Sequence, residues 1–167
     1  MFVMGIDPGL SRCGYCVLEV RRGAAARAVA LGVLRTAVGD PVPQRLLELQ
    51  REVRALLGEF TPQALAVERV LFQANVRTAM SVGQASGIAM AEAAAAGCDV
   101  VEYSPNQVKE AVAGHGAAGK EEVQRMVQTL LGLTAPPRPA DAADAAAIAL
   151  CHVAMAPMAM SVQRSLR

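Results

Sequence analysis

Four carboxylates in this chain stand at positions where a carboxylate needs a partner. Asp7 and Glu68 each end a short apolar run that is typical of a buried strand. Asp141 and Asp144 lie three residues apart at the start of an apolar helical segment, so both carboxylates share one face of that helix. A carboxylate beside a buried apolar run is costly unless another group pairs with it. The four acids are therefore candidates for a common site.

The chemistry that such a site favours is metal-assisted hydrolysis. No histidine ligand pattern lies near the four acids, so the set is all-oxygen and suits Mg²⁺ or Mn²⁺ better than Zn²⁺. Acidic clusters can hold two metals roughly 3.5–4 Å apart, one activating a water and the other stabilising the leaving oxygen. Phosphodiester hydrolysis is the reaction this predicts. For Asp141 and Asp144 alone, the alternative is an ordinary interaction of acids with a helix dipole.

Lysine is nearly absent from the chain. Of sixteen basic residues, only Lys109 and Lys120 are lysines. One interpretation is that both positions require a compact ammonium group. The alternative is that the Ala-rich, Lys-poor composition reflects the coding bias of the source.

The four cysteines do not indicate a metal or disulfide framework. Cys13 and Cys16 have CxxC spacing, but they fall in a predicted strand, where residues three apart point to opposite faces. No second CxxC follows at Cys98 or Cys151, and a cytosolic chain seldom keeps disulfides. We therefore predict ordinary buried thiols.

Length and composition indicate one globular domain. The chain has 167 residues, of which 53% are hydrophobic and 19% charged, which excludes a disordered protein. No apolar run reaches the length of a membrane span and no signal peptide is recognisable, so we expect a cytoplasmic protein with no membrane association. A net charge of +1 does not by itself indicate nucleic-acid binding.

The elements that must position the acids follow an α/β order. Strands are predicted at about 2–7, 10–20, 28–35, 64–68 and 99–103. Helices are predicted at about 43–60, 75–96, 105–114, 121–131 and 141–155. This order predicts a mixed five-stranded sheet flanked by helices. The right-handed crossover rule makes the first and fourth strands parallel, so Asp7 and Glu68 emerge at the same edge. We expect a domain over residues 1–156 and a flexible tail over 157–167.

The order of the motifs resembles a known family. GIDPG at a strand end, AVE at another, QVK before a Gly-rich loop ending in Lys, and DAADA in the last helix are similar to the RuvC-type Holliday-junction resolvases, over nearly the whole chain. The resemblance implies a ribonuclease H-like fold, a homodimer and a requirement for a divalent cation, Mg²⁺, with Mn²⁺ also supporting activity. It implies symmetric nicks in four-way junction DNA during recombination and repair. It also implies a junction-binding tetramer and a hexameric branch-migration motor as partners.

The resemblance assigns roles to individual residues. Carried over by position, Asp7, Glu68, Asp141 and Asp144 would be the metal-binding catalytic acids. Lys109 and Lys120 match the two functional basic positions of the family, and we expect them to contact the scissile phosphate and stabilise charge in the transition state.

One segment departs from the family pattern. The family commonly has an aromatic residue three positions after the catalytic Glu, where it wedges against unstacked bases at the crossover. Here that position is Leu71 and the aromatic residue is Phe72, so either side chain could act as the apolar wedge. Asn75 belongs to the same presented loop. Arg69 and Arg77 flank it and are expected to contact phosphate, with solvated surface as the alternative.

Other functions fit parts of the sequence. Gly114–Lys120 fits GxxxxGK, but Glu121 stands where a nucleotide-binding loop needs Ser or Thr, and a helix rather than a strand precedes it. GIDPG also resembles the phosphate loop of actin-like kinases, which need two such domains. A non-cleaving junction-binding protein and a ribonuclease H-like RNA nuclease remain alternatives. His115 and His152 are interpreted as structural, although His152 lies two helical turns beyond Asp144 and could approach the site.

Overall fold

The computed structural model describes the backbone of residues 1–69 and 76–165, and the side chains of residues 1–69 and 79–156. Its strands are β1 (Phe2–Asp7), β2 (Arg12–Glu19), β3 (Arg27–Arg35), β4 (Ala64–Glu68) and β5 (Asp99–Tyr103). Its helices are α1 (Val42–Phe60), α2 (Val76–Ala95), α3 (Pro105–Ala113), α4 (Lys120–Leu130) and α5 (Ala140–Ser165). The predicted order of elements is confirmed.

The five strands form one mixed sheet in the order β3-β2-β1-β4-β5. Strands β1, β2 and β3 make an antiparallel meander, whereas β1, β4 and β5 run parallel to one another. The parallel register places Ile6 beside Val67, so the next residues along, Asp7 and Glu68, leave the sheet at the same edge. The predicted parallel pairing of the first and fourth strands is thus confirmed.

The sheet separates two apolar clusters, and the alternation of side chains decides which cluster each residue joins. Met4 and Ile6 pack on the face covered by α1 and α2. Val3 and Ala66 pack on the opposite face, with residues of α3, α4 and α5. Asp7 and Glu68 share the parity of Val3 and Ala66, so both acids belong to the face that α5 covers.

Glycines in the sheet allow α5 to lie directly on it. A Cβ added at Gly5 would fall 2.2 Å from the carbonyl oxygen of Ala145, and one added at Gly14 would fall 2.1 Å from that of Asp141. Because no side chain fits in either gap, the start of α5 is brought against the ends of β1 and β2. This close approach carries Asp141 towards Asp7.

Three of the four cysteines are buried as predicted, whereas Cys98 is half-buried. Cys13 packs in the cluster under α1 and α2, and Cys16 packs in the cluster under α5, so the two sulfurs lie on opposite faces. All four cysteines are free thiols. Burial raises the pKa of both Cys13 and Cys16 to about 12, which keeps them protonated and unreactive.

Helix α5 is longer than expected. It continues to Ser165, ten residues beyond the end that we placed at Met155. The added segment contains Ala, Met and Gln residues, which favour helix, and also Pro157, which disfavours a helix interior, so the local sequence alone does not account for the extension. The flexibility expected for residues 157–167 is a separate property and stays a prediction. Across the described residues, no helix is long and apolar enough to cross a membrane.

Candidate active site

Asp7 lies at the centre of the candidate site. Its pKa is raised to about 7, first because the side chain is buried and then because the carboxylates of Asp144, Glu68 and Asp141 repel its charge. The positive charge of Lys120 lowers the pKa of Asp7. The electrostatic coupling shows that the fold brings together the four acids that the sequence singled out.

Glu68 is the second strand-end acid, and both negatively and positively charged side chains lie near it. Burial raises its pKa and so does the carboxylate of Asp144, whereas Lys120 and Lys109 lower it. Both predicted lysines therefore lie close enough to Glu68 to act on its charge. The loop after β4 begins with Arg69, whose backbone N–H donates to the carbonyl oxygen of Tyr103 at 2.8 Å.

The two helix-start acids each make an ion pair with a basic side chain. Arg12 Nη2 donates to Asp141 Oδ2 at 2.5 Å, and Lys120 Nζ donates to Asp144 Oδ2 at 2.7 Å. Lys120 is the first residue of α4, and its hydrogen bond to Asp144 raises the pKa of its ammonium group. The N-terminal parts of α4 and α5 are thereby joined at the site.

A cavity of about 300 Å³ opens beside these residues. Its charged lining consists of Glu68, Lys109, Lys120 and Asp144, and its apolar lining comes from α3, α4 and α5. Two predicted catalytic acids and both predicted lysines thus share one cavity, and the charge of Asp7 is coupled to three of these groups. A cavity that holds both acids and ammonium groups can bind a cation and an anionic group together.

Local sequence signals position the lysines. Ser104 caps α3 in a capping box, as predicted: its Oγ accepts from Gln107 N at 3.3 Å, and its own N–H donates to Gln107 Oε1 at 2.9 Å. Gly114 ends α3 in the left-handed conformation at φ 84°. The segment before Lys120 therefore follows a helix, which removes the strand-loop-helix geometry of a nucleotide-binding loop.

The two histidines have structural surroundings. His152 is buried, and its Nδ1 lies 3.0 Å from the hydroxyl of Tyr103, with the two rings edge to face. It does not line the cavity. His115 Nε2 lies 3.1 Å from Glu122 Oε1 at the surface. The structural interpretation of both residues agrees with these contacts.

Part of the predicted DNA-contacting set lies outside the described residues. Leu71, Phe72 and Asn75 fall in the gap between residues 69 and 76, and the side chain of Arg77 is also outside the described part. Arg69 is exposed. The assignment of these five residues stays a prediction.

The four carboxylates are of the right chemical type to bind a hard divalent cation, but their side chains are not arranged around a common metal position. Every candidate ligand is a carboxylate oxygen, which suits Mg²⁺ or Mn²⁺, and the pKa of Asp7 is raised first by burial and then by the neighbouring carboxylates. Within the part of the chain that the structure describes, no group of three or more His, Cys, Asp or Glu side chains is arranged to hold a metal ion. Asp141 and Asp144 are ion-paired with Arg12 and Lys120.

Two arginines near the site carry no signal in the sequence. Arg12 pairs with Asp141, and Arg45 is buried where it donates to Thr36 Oγ1 at 2.9 Å and to Ser11 Oγ at 2.6 Å. Among fourteen arginines neither has a distinguishing pattern around it. The only local hint for Arg12 is its position at the start of the strand that pairs with β1.

Comparison with known proteins gives a consistent result. The family model described as "Crossover junction endodeoxyribonuclease RuvC" matches residues 3–152. The chain is 52% identical over 153 residues to the protein of that name from Salinispora arenicola, covering 92% of this chain and 87% of the relative. It is 49% identical over 157 residues to that of Chloroflexus aggregans, covering 94% and 95%.

Solved structures agree. The structure described as "T. thermophilus RuvC in complex with Holliday junction substrate" superposes with a TM-score of 0.90 at 42% identity, covering 95% of this chain and 96% of that one. The yeast mitochondrial Holliday junction resolvase Ydc2 shares the fold, with a TM-score of 0.66 at 17% identity over 89% and 77%. The expected ribonuclease H-like α/β fold is confirmed.

Proposed function

The chain belongs to the RuvC family of crossover junction endodeoxyribonucleases, and from that membership we propose that it resolves four-way DNA junctions by paired symmetric nicks. It is a phosphodiester-cleaving nuclease of this family, whose members depend on a divalent metal. The observation that carries the proposal is the convergence of Asp7, Glu68, Asp144, Lys109 and Lys120 around one cavity edge. Recombination and repair are the processes such a reaction serves.

At the proposed site the acids bind the metal and the lysines contact the phosphate. Asp7, Glu68 and Asp141, with Asp144 assisting, would hold Mg²⁺, or Mn²⁺ in its place. When bound, the ion supplies an activated water and neutralises charge on the phosphate. Lys120 and Lys109 line the same cavity, where their ammonium groups orient the phosphate and stabilise the charge that develops on its oxygens. Asp7 is half-buried, so its carboxylate is partly removed from bulk water.

The assembly we propose is a homodimer that pairs through α2. Gly83 and Gly87 on this helix have open space where a Cβ would point, and Met80 is 61% exposed. A second backbone can approach such a surface closely, and an exposed Met is an adaptable contact. Two copies would place two acidic sites on one junction. We also propose, from family membership alone, a junction-binding tetramer and a branch-migration motor as partners, and the cytoplasm as the compartment.

The domain assignment is part of the same proposal. We propose that the nuclease domain comprises residues 1–156 and that residues 157–167 form a flexible tail. We further propose that Leu71 or Phe72 contacts unstacked bases, while Arg69, Asn75 and Arg77 contact the DNA backbone. The tail assignment rests on the composition of the C-terminal residues, and the DNA contacts rest on the resemblance of the segment after Glu68 to the family pattern.

The test uses a labelled mobile four-way DNA junction, incubated with the protein with and without Mg²⁺ or Mn²⁺, and the nicks are mapped on all four strands. We expect metal-dependent paired nicks on opposing strands, absent in Asp7→Asn, which should still bind the junction. Tight binding with no nicks would favour a non-cleaving junction-binding protein. Cleavage of RNA–DNA hybrids but not of junctions would contradict the proposed function and favour a ribonuclease H-like RNA nuclease with the same fold.

A further inference from the structure

We infer that Arg12 is an exchangeable counter-ion of the acidic site. It pairs with Asp141 when no divalent cation is bound to that carboxylate, and it turns to a DNA phosphate when a cation takes its place. The inference rests on the proposed role of Asp141 as a metal ligand. It adds a residue that regulates metal affinity and links metal binding to DNA binding.

The Arg12–Asp141 pair has the geometry of an exchangeable contact. Its atoms are 2.5 Å apart, which is a strong charge-assisted hydrogen bond, yet the two side chains are 45% and 26% exposed. Ion pairs in contact with solvent are weak on balance, because water and salt screen them and two long side chains lose freedom. A divalent cation carries twice the charge of a guanidinium and can displace it from the carboxylate.

The backbone on both sides of this pair is held by other contacts, so the exchange requires a movement of the Arg12 side chain and none of the backbone. Gly14 lies against the carbonyl oxygen of Asp141, which sets the distance between β2 and the first turn of α5. The residue before Arg12 is anchored as well, since the buried guanidinium of Arg45 donates to Ser11 Oγ at 2.6 Å. Arg12 therefore starts from a constant position whichever partner it contacts.

Arg12 and Lys120 lie at different positions in the site. Lys120 faces the cavity together with Lys109, whereas Arg12 is not part of the cavity lining. Once released, its guanidinium would meet a phosphate other than the one that the lysines contact. Guanidinium groups bind phosphate oxygens with two parallel hydrogen bonds, which suits this second role.

The first experiment measures Mn²⁺ binding to the DNA-free protein by electron paramagnetic resonance. Arg12→Gln should bind Mn²⁺ about two- to fivefold more tightly than the wild type, the range expected for loss of an exposed ion pair. Arg27→Gln is the matched control, because Arg27 is exposed and pairs with Glu19 at 2.9 Å at the far end of the β2–β3 pair, and its Mn²⁺ affinity should be unchanged. Equal affinity in wild type and Arg12→Gln would overturn the inference.

The second experiment measures junction affinity at several salt concentrations, once in Ca²⁺ and once in a chelator. In Ca²⁺, Arg12→Gln should reduce the slope of log affinity against log salt by about one, the signature of one lost phosphate contact. In the chelator the slope should not change, because Arg12 is paired with Asp141. An equal reduction in both conditions would make Arg12 a simple phosphate contact and refute the exchange.

A third variant distinguishes failure of this inference from failure of the proposed function. Asp141→Asn should weaken Mn²⁺ binding if the acids are the metal site. Mn²⁺ binding that is unchanged by Asp141→Asn would reject the metal-ligand assignment itself, and the inference with it. Binding that depends on Asp141 but does not respond to Arg12→Gln would reject only the inference.

Discussion

The carboxylate of Asp7 is held in an unfavourable environment. Burial and three neighbouring acids raise its pKa to about 7, so in the absence of a cation a large fraction is protonated near neutral pH. Functional sites are common places for such a conflict, because the group that is destabilised alone is stabilised by its ligand. At this site a divalent cation is the ligand that would remove the repulsion.

The pKa of Asp7 predicts how stability depends on pH in a chelator. An unfolded chain has its Asp pKa near 3.8, so between about pH 4 and 7 the folded state binds more protons and stability falls as pH rises. Asp7→Asn removes this effect. At pH 8 we expect the variant to be more stable than the wild type by about 1–4 kcal/mol, the upper end being the full pKa shift converted to free energy.

The measurement is urea unfolding of wild type and Asp7→Asn at pH 5 and pH 8, both with chelator. The stabilisation should be larger at pH 8 than at pH 5. Asp40→Asn is a suitable control, since Asp40 is exposed in a loop away from the site. A stabilisation of equal size at both pH values would show that Asp7 does not titrate as described.

Lys120 is expected to matter for turnover rather than for stability. Its ion pair with Asp144 involves a side chain that is 62% exposed, and such pairs contribute about 0–1 kcal/mol. A positive group aimed at developing charge in a reaction contributes far more, so Lys120→Ala should lower kcat by about 10²–10³-fold. Lys109→Ala should act in the same direction because it lines the same cavity.

Arg125→Ala is the matched control for the lysine variants, because Arg125 is an exposed base on the same helix as Lys120. Single-turnover cleavage of a four-way junction separates the chemical step from binding. An unchanged single-turnover rate constant in Lys120→Ala would show that this residue is an ordinary surface charge. Loss of kcat in Arg125→Ala as well would indicate a general effect of charge on DNA binding.

At the scale of elements, the contact between α5 and the sheet decides where the acids meet. Gly5 lies in the central strand β1 against the backbone of Ala145 and Ala149. Even a methyl group at this position would require the helix to move away from the strand. The acids of α5 would then move away from Asp7.

Gly5→Ala should therefore destabilise the protein by at least about 3 kcal/mol, the upper range for overpacking of a core. Gly58→Ala provides the contrast, because Gly58 lies in α1 and an added methyl group there would have no neighbour within 4 Å. That variant should be unchanged or stabilised by about 0.5–1 kcal/mol, since Ala favours helix. Denaturant unfolding compares the two, and equal stabilities would contradict the close approach of α5 to β1.

Strand ends and helix caps can be predicted well from the sequence, because their signals are local. The strands 64–68 and 99–103 agree with prediction to the residue, and the Ser104 cap follows from three neighbouring residues. The contacts of Gly5, Gly14 and Arg12 are made with residues more than a hundred positions away, and no local pattern announces them. Strand order was enough to group the acids, but their ion pairs with Arg12 and Lys120 depend on contacts between distant parts of the chain and could not be predicted.

At the scale of the whole molecule, a single protomer has one acidic site, and paired nicks need two. The exposed face of α2 with Gly83 and Gly87 is the surface on which we propose that two copies meet. A large charged side chain at Gly87 would keep two helices apart while leaving the protomer intact, because the position faces open space and tolerates any helix-forming residue.

Gly87→Arg should therefore sediment as a monomer under conditions in which the wild type is a dimer. On a supercoiled plasmid with an extruded cruciform, a dimer cuts both opposing strands within one encounter and produces linear DNA. A monomer would nick one strand, release the supercoiling and reabsorb the cruciform, so the product should be nicked circles. Gly39→Arg, at an exposed loop position with similar open space, should behave as wild type in both assays. If Gly87→Arg still sedimented as a dimer and gave linear DNA, the second site would have to be brought to the junction through another surface.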